Sequence, residues 1–188
     1  VGVKNKRTGT CVAPLSFDTS VDEIYSCICF GGTAHIMMKQ QVLDLNYFSN
    51  YLTESKINVS YIIPEFLEGV GKSLQNQSEI YLQTILTGLH AKKNRAFENF
   101  FGLHSEIRVL NAYGPTEVTY GSSAYRVRGT EPRDEYTPIG KPFPNYQTYV
   151  VDSEMQILPD FVAGELLIAG PALSSGYINN PETTREKF

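Results

Sequence analysis

The chain has 188 residues, enough for one domain or one and a fraction, with a sizeable core. Hydrophobic residues make up 41% and charged residues 19%, which excludes an intrinsically disordered chain. A formal net charge of −4 argues against a nucleic-acid-binding surface, and no apolar run reaches the roughly 18–20 residues of a membrane span.

Residues 10–15 (TCVAPL) are expected to form a short strand. Ser16 to Ser20 then supplies helix-capping side chains, and residues 21–30 carry Ile24, Cys27, Ile28 and Phe30 near helical spacing until Gly31-Gly32 stops the helix. A strand is expected over 33–38, and an amphipathic helix over 43–56 on Leu45, Phe48, Tyr51 and Leu52. Residues 58–63 read as a strand ended by Pro64, which opens a helix over 65–74. Next come a strand over 81–87 ending at Gly88, a helix over 92–101 and a strand over 106–111.

This alternation of β with α predicts an α/β fold, a largely parallel sheet flanked by helices. Ligands in such sheets sit at the carboxyl ends of the strands, here at Pro64, Gly88 and Asn111-Ala112-Tyr113. After about residue 120 the character changes. Strands over 121–127, 148–151 and 164–170 surround a charged loop at 131–136, with no long helix between them, so a small antiparallel, barrel-like β unit is expected. Residues 1–130 are expected to hold the α/β part with its pocket, and 131–188 the small β-rich subdomain.

Cys11, Cys27 and Cys29 are odd in number and fit neither a disulfide framework nor a zinc spacing. Free thiols in a reducing compartment, the cytoplasm, are expected. The Lys4-Asn5-Lys6-Arg7 cluster reads as a solvated loop. Residues 1–10 lack the apolar stretch of a signal peptide.

The run Asn111-Ala112-Tyr113-Gly114-Pro115-Thr116-Glu117 stands where a strand ends. Gly114-Pro115 forces a turn, Tyr113 offers a flat ring to a purine, Thr116 a hydroxyl to a phosphate oxygen, and Glu117 a hard oxygen to Mg²⁺. On residue chemistry alone, a structural turn with a capping Thr and Glu fits as well.

The string NAYGPTE resembles the core motif of adenylation domains in non-ribosomal peptide synthetases, members of the adenylate-forming superfamily. Phe17-Asp18-Thr19-Ser20-Val21 resembles the family's FDxSV segment, Pro138 to Pro142 its PIG-P turn, and Gly164 to Tyr177 with Asn180-Pro181-Glu182 and Phe188 its GEL…GY…PE…F segment. The resemblance spans about Cys11 to Phe188 in the family's order. It implies activation of an amino acid as aminoacyl-AMP from ATP and Mg²⁺, for transfer to a carrier-protein phosphopantetheine thiol, with carrier and condensation domains as partners.

Carried over position by position, the resemblance gives Asp18 to the substrate α-ammonium. Thr19, Asp22, Tyr61, Leu86, Gly88, Ala112, Tyr120 and Gly121 would line the substrate pocket. Asn111, Ala112, Tyr113 and Thr116 would hold the nucleotide, with Thr116 and Glu117 as the catalytic pair and Glu117 as the metal ligand. A helix N-cap is the alternative reading of Asp18, and an exposed acid favoured by the helix dipole that of Asp22. If Asp22 faces the pocket, a basic or polar substrate side chain is expected. The family's phosphate loop falls before this chain, and its ribose-binding Asp and lid Lys after it, so the chain alone is expected to be inactive. Leu89-His90 and Ser175 depart from the family pattern. A fragment of an acyl- or aryl-acid CoA ligase, and a truncated non-catalytic binding module, are the alternatives.

Overall fold

The computed structural model describes residues 6–88, 90–104 and 106–188; Lys4, Asn5 and Leu89, weighed above, lie outside the described residues. The alternation read from the sequence is present. Strand β1 (Thr8–Cys11) leads to α1 (Thr19–Ile28), then β2 (Thr33–Ile36), α2 (Lys39–Leu43), α3 (Leu45–Glu54) and β3 (Val59–Tyr61). A 3₁₀ turn at Pro64–Phe66 opens α4 (Leu67–Leu74). After β4 (Thr84–Thr87), a second 3₁₀ turn, Asn94–Phe97, runs into α5 (Glu98–Phe101) and β5 (Arg108–Tyr113). The remaining elements are β6 (Ser123–Val127), β7 (Lys141–Pro142), β8 (Gln147–Val151), β9 (Glu165–Ala169) and α6 (Pro181–Lys187).

Seven strands form one sheet in the order β2-β1-β3-β4-β5-β6-β7. The pairs from β2 through to β5 are parallel, while β6 and β7 add antiparallel strands at one edge. The β8–β9 pair makes a separate two-stranded antiparallel sheet. That is the small β unit expected, without a closed barrel. Residues 131–142 lie along the large sheet, through β7 and through Asn94 N–H on Glu135 O at 2.9 Å.

Some boundaries moved for local reasons. The helix expected over 43–56 runs as α3 from Leu45, because the Asp44 carboxylate accepts from Asn46 N–H and Tyr47 N–H and caps it there, and the short α2 before it adds to the sequence reading. The first strand sits at Thr8–Cys11 rather than 10–15 because it aligns with β2 from Thr8 against Thr33.

The pleat sorts the sheet into two faces. Ile62, Ile85 and Val109 point to one face and join Phe48, Leu52, Leu67, Val70, Leu74, Phe97 and Phe100 from α3, α4 and the α5 region, all essentially inaccessible, in the main core. Helix α1 covers the opposite face of β1: a methyl on Gly9 would meet Cys27 Sγ at 2.6 Å. Cys11 and Cys27 are buried free thiols and Cys29 an exposed one. Burial raises the Cys11 thiol to about 12, with the Glu23 carboxylate adding to the shift. No helix among the described residues is long and apolar enough to cross a membrane.

Candidate functional site at the carboxyl edge of the parallel sheet

The five parallel strands end on one edge, at Cys11, Ile36, Tyr61, Thr87 and Tyr113. Tyr61, Leu86, Gly88, Asn111, Ala112 and Tyr113 lie at this edge, Thr116, Glu117, Tyr120 and Gly121 on the segment that follows β5, and Asp18, Thr19 and Asp22 at the start of α1. Leu86 pairs with Tyr61 on one side and Leu110 on the other. Side chains alternate along each strand, so Tyr61, Leu86, Gly88 and Ala112 share one sheet face, the face that α1 covers near β1. Asn111 belongs to the other face. It is buried, and its side-chain amide donates to Pro138 O at 2.9 Å, fastening the 138–142 turn to β5.

Asp18 stands at the start of α1, with φ −58° and ψ −32°, and makes no capping bond with its side chain. The N-cap alternative therefore has no hydrogen bond behind it. Thr19, next to it, is buried and donates its hydroxyl to Asp18 Oδ1 at 3.4 Å. Asp22 lies four residues on, one helical turn along the same face. Burial raises its carboxyl above the ordinary carboxylate range, with Arg7 nearby and a hydrogen bond with Tyr120 opposing. Asp22 is thus half-buried and partnered rather than an open surface acid.

Tyr120 is presented by a tight loop. Thr119 and Tyr120 take φ of 60° and 83°, left-handed values that side-chain-bearing residues adopt at a cost of order 1–3 kcal/mol each. Surrounding bonds hold them there: Gly121 N–H donates to Thr119 O at 3.2 Å and Ser122 N–H to Tyr113 O at 2.9 Å. Gly114 allows this closure, since a methyl there would come within 2.6 Å of Gly121 Cα. Burial raises the phenols of Tyr61 and Tyr120, and the charges of Asp22, Glu23 and Asp18 add to the shift at Tyr120. Asp18, Asp22, Tyr61 and Tyr120 therefore converge. The Tyr61 hydroxyl is buried without a hydrogen-bond partner on the face that α1 covers, where a polar ligand could satisfy it. The Thr87 hydroxyl at the end of β4 is also unpartnered, but it belongs to the opposite face with Asn111.

Tyr113, at the end of β5, is partly exposed. Pro115 leads into the 3₁₀ turn Thr116–Val118, which presents Thr116 and Glu117. The Tyr177 hydroxyl donates to Glu117 Oε1, and this bond holds the carboxyl below its usual range. No group of three or more His, Cys, Asp or Glu side chains capable of holding a metal exists among the described residues. Glu117 on this turn is a single hard carboxylate, of the kind that could hold Mg²⁺ jointly with substrate phosphates rather than in a protein cage.

Sequence reasoning passed over Glu23. It is buried, and its carboxylate accepts from Val12 N–H at 3.2 Å and Ala13 N–H at 3.0 Å, pinning the exit of β1 to α1. An acid placed one residue after Asp22 gave no periodic signal. The contacts of Tyr146 and Tyr177 with the 116–118 turn were also missed, because they join residues 28 and 60 positions apart.

This edge, with its acid at the head of α1 and its turn after β5, defines an adenylate-forming core. The chain belongs to the AMP-binding enzyme family, whose model matches residues 2–178. Its curated relatives include bacitracin synthase 1 of Bacillus licheniformis (33% identity, 94% of this chain, 3% of the relative). Others are tyrocidine synthase 1 of Brevibacillus parabrevis (31%, 94% and 16%) and the D-alanine–D-alanyl carrier protein ligase of Streptococcus pyogenes serotype M5, strain Manfredo (31%, 93% and 35%). The chain thus spans a small part of each of these relatives. In fold it resembles the non-ribosomal peptide synthetase FmoA3, with TM-score 0.88 at 22% identity over 96% of this chain and 20% of that one. It also resembles the N-terminal subdomain of Klebsiella oxytoca NpsA, in complex with 3-hydroxybenzoyl-AMSN, with TM-score 0.80 at 20% identity over 98% and 47%. The resemblance to synthetase adenylation domains drawn from the motifs is borne out.

Proposed function

We propose that the protein carrying this chain activates an amino acid as aminoacyl-AMP from ATP and passes it to the phosphopantetheine thiol of a carrier domain, beside condensation domains of one cytoplasmic synthetase. The observation that carries this reading is the convergence, on one sheet edge, of the uncapped Asp18 carboxylate, the orphaned Tyr61 hydroxyl and the Tyr113–Glu117 turn.

In this reading residues 1–130 supply the substrate and adenine pocket, and residues 131–188 brace it. Asp18 pairs with the substrate α-ammonium, because a cation leaving water needs a charged partner. Thr19, Tyr61, Leu86, Gly88, Ala112, Tyr120 and Gly121 line the side-chain pocket. Asp22 favours a basic or polar substrate side chain. Asn111, Ala112 and Tyr113 border the adenine, and Thr116 bonds the α-phosphate. The carboxylate of the amino acid attacks the α-phosphorus and pyrophosphate leaves, so the residues work by positioning and neutralising charge. Glu117 would hold Mg²⁺, which would supply neutralisation of phosphate charge.

An ATP–pyrophosphate exchange panel on the complete adenylating protein tests the reading. Exchange with Lys, Orn or Gln is expected. Preference for Leu or Phe overturns the assignment of Asp22, and exchange with no amino acid overturns the adenylating reading.

A further inference from the structure

The turn that carries Glu117 is fastened at several points by residues far along the chain. Ser174 N–H donates to Glu117 O at 2.7 Å, Thr119 Oγ1 to Ala172 O at 2.9 Å, and Tyr146 OH to Val118 O at 3.2 Å. These bonds fix the backbone of the turn. The bond from Tyr177 is different in kind, because it engages the Glu117 side chain itself.

Tyr177 is in turn held on both sides. Its N–H donates to Thr184 Oγ1 at 2.9 Å, and the Phe188 ring stands edge-on to it with centroids 5.7 Å apart. Gly176 enters at φ 116°, where a methyl would meet Thr184 Cγ2 at 2.4 Å. Residues 172–188 therefore deliver one phenol hydroxyl to one carboxylate oxygen. An unrestrained Glu side chain loses rotamer entropy when it is fixed on a ligand. A bond already in place reduces that loss, as partners behind metal ligands do.

We infer that Tyr177 is a positioning residue for Glu117: its hydroxyl holds one carboxylate oxygen so that the group is aimed, before substrate arrives, at a divalent cation. The inference rests on the adenylating reading above and assigns the 172–177 segment a part in metal binding. Brace contacts that served only the fold would need neither the acid nor the phenol, since the backbone bonds at 172 and 174 already secure the turn.

The test compares Tyr177→Phe, Glu117→Gln and a control, Tyr149→Phe, with the unaltered complete adenylating protein. Tyr149 is an exposed tyrosine whose hydroxyl meets only Gln147 among the described residues. Two readouts are taken. The first is Mn²⁺ binding in the presence of ATP, followed by the electron paramagnetic resonance signal of free Mn²⁺. The second is the Mg²⁺ requirement of pyrophosphate exchange, set against the KM for the amino acid. Tyr177→Phe is expected to weaken Mn²⁺ binding and raise the Mg²⁺ requirement about tenfold, with the amino-acid KM unchanged. Tyr149→Phe should match the unaltered protein, and Glu117→Gln should lose both Mn²⁺ binding and exchange.

Unchanged metal dependence in Tyr177→Phe overturns the inference, even if its rate falls, because that is the behaviour of a brace. Tighter Mn²⁺ binding in Tyr177→Phe also overturns it, since the phenol would then compete with the cation. A Glu117→Gln protein that equals the unaltered one in both readouts overturns the role of Glu117, and with it the inference.

Discussion

A methyl group built on Gly88 would lie 2.3 Å from the carbonyl oxygen of Ala112, so the ends of β4 and β5 touch backbone to backbone at the floor of the cleft. No rotamer relieves such a contact, because neither atom belongs to a flexible side chain. Gly88→Ala is expected to push the two strand ends apart and to cost about 1–3 kcal/mol in stability. Urea denaturation of the chain measures this. In the complete protein the same change should depress exchange more strongly than stability, because Ala112 belongs to the proposed pocket. A variant with unaltered midpoint and unaltered exchange would show that this approach is not needed.

Asp18 separates a binding role from a capping one. A side chain that caps a helix loses about 1 kcal/mol when the acceptor is removed, but Asp18 makes no capping bond. Asp18→Ala should therefore leave the stability of the chain within about 0.5 kcal/mol. In the complete protein the KM for the amino acid should rise by at least about tenfold, the loss of one charge-assisted pair, with the KM for ATP nearly unchanged. A clear stability loss with an unchanged amino-acid KM would return Asp18 to the status of a cap.

What was legible in the sequence divides along physical lines. The β–α alternation was readable because helical and strand periodicities differ, and the site's edge followed from the topology alone. The five-residue α2 was missed because its Lys39-Gln40-Gln41 start carries no apolar periodicity. The Tyr177–Glu117 bond was invisible because it depends on how two distant segments close on each other. Glu23 was missed for another reason: a buried acid looks like a surface acid until the backbone N–H groups it serves are known.

Glu23 gives a pH prediction with a definite sign. Burial is the largest influence on it and raises its carboxyl above the ordinary 4.5, with the N–H groups of Ala13 and Val12 opposing. The folded protein therefore holds the proton more tightly than the unfolded chain, and unfolding releases it. Stability is highest below the ordinary value, falls as pH rises through the window up to the folded pKa, and levels off above it. Asp22 contributes with the same sign, since burial raises it too. Glu23→Gln removes the titration, so its stability relative to the unaltered chain should improve from pH 4 to pH 7. Urea midpoints across that range decide the matter, and a difference that stays flat or narrows with pH would contradict it.

Tyr61 shows where the cleft holds stability in reserve. Its hydroxyl is buried without a partner. An orphaned buried donor costs about 1–3 kcal/mol, and the phenol stays protonated because burial and the charges of Glu23 and Glu65 raise it. Removing the hydroxyl removes that cost while the ring keeps its packing. Tyr61→Phe should therefore leave the free chain as stable as before or up to about 1–2 kcal/mol more stable. The loss should appear only with ligand present: in the complete protein, a higher KM for an amino acid whose side chain bonds the hydroxyl, and no change for an apolar one. A pocket residue that serves only packing would show neither the gain nor the selective loss. A destabilised Tyr61→Phe chain would mean that the hydroxyl already has a partner in the folded state and that the cleft is not completed by ligand at this point.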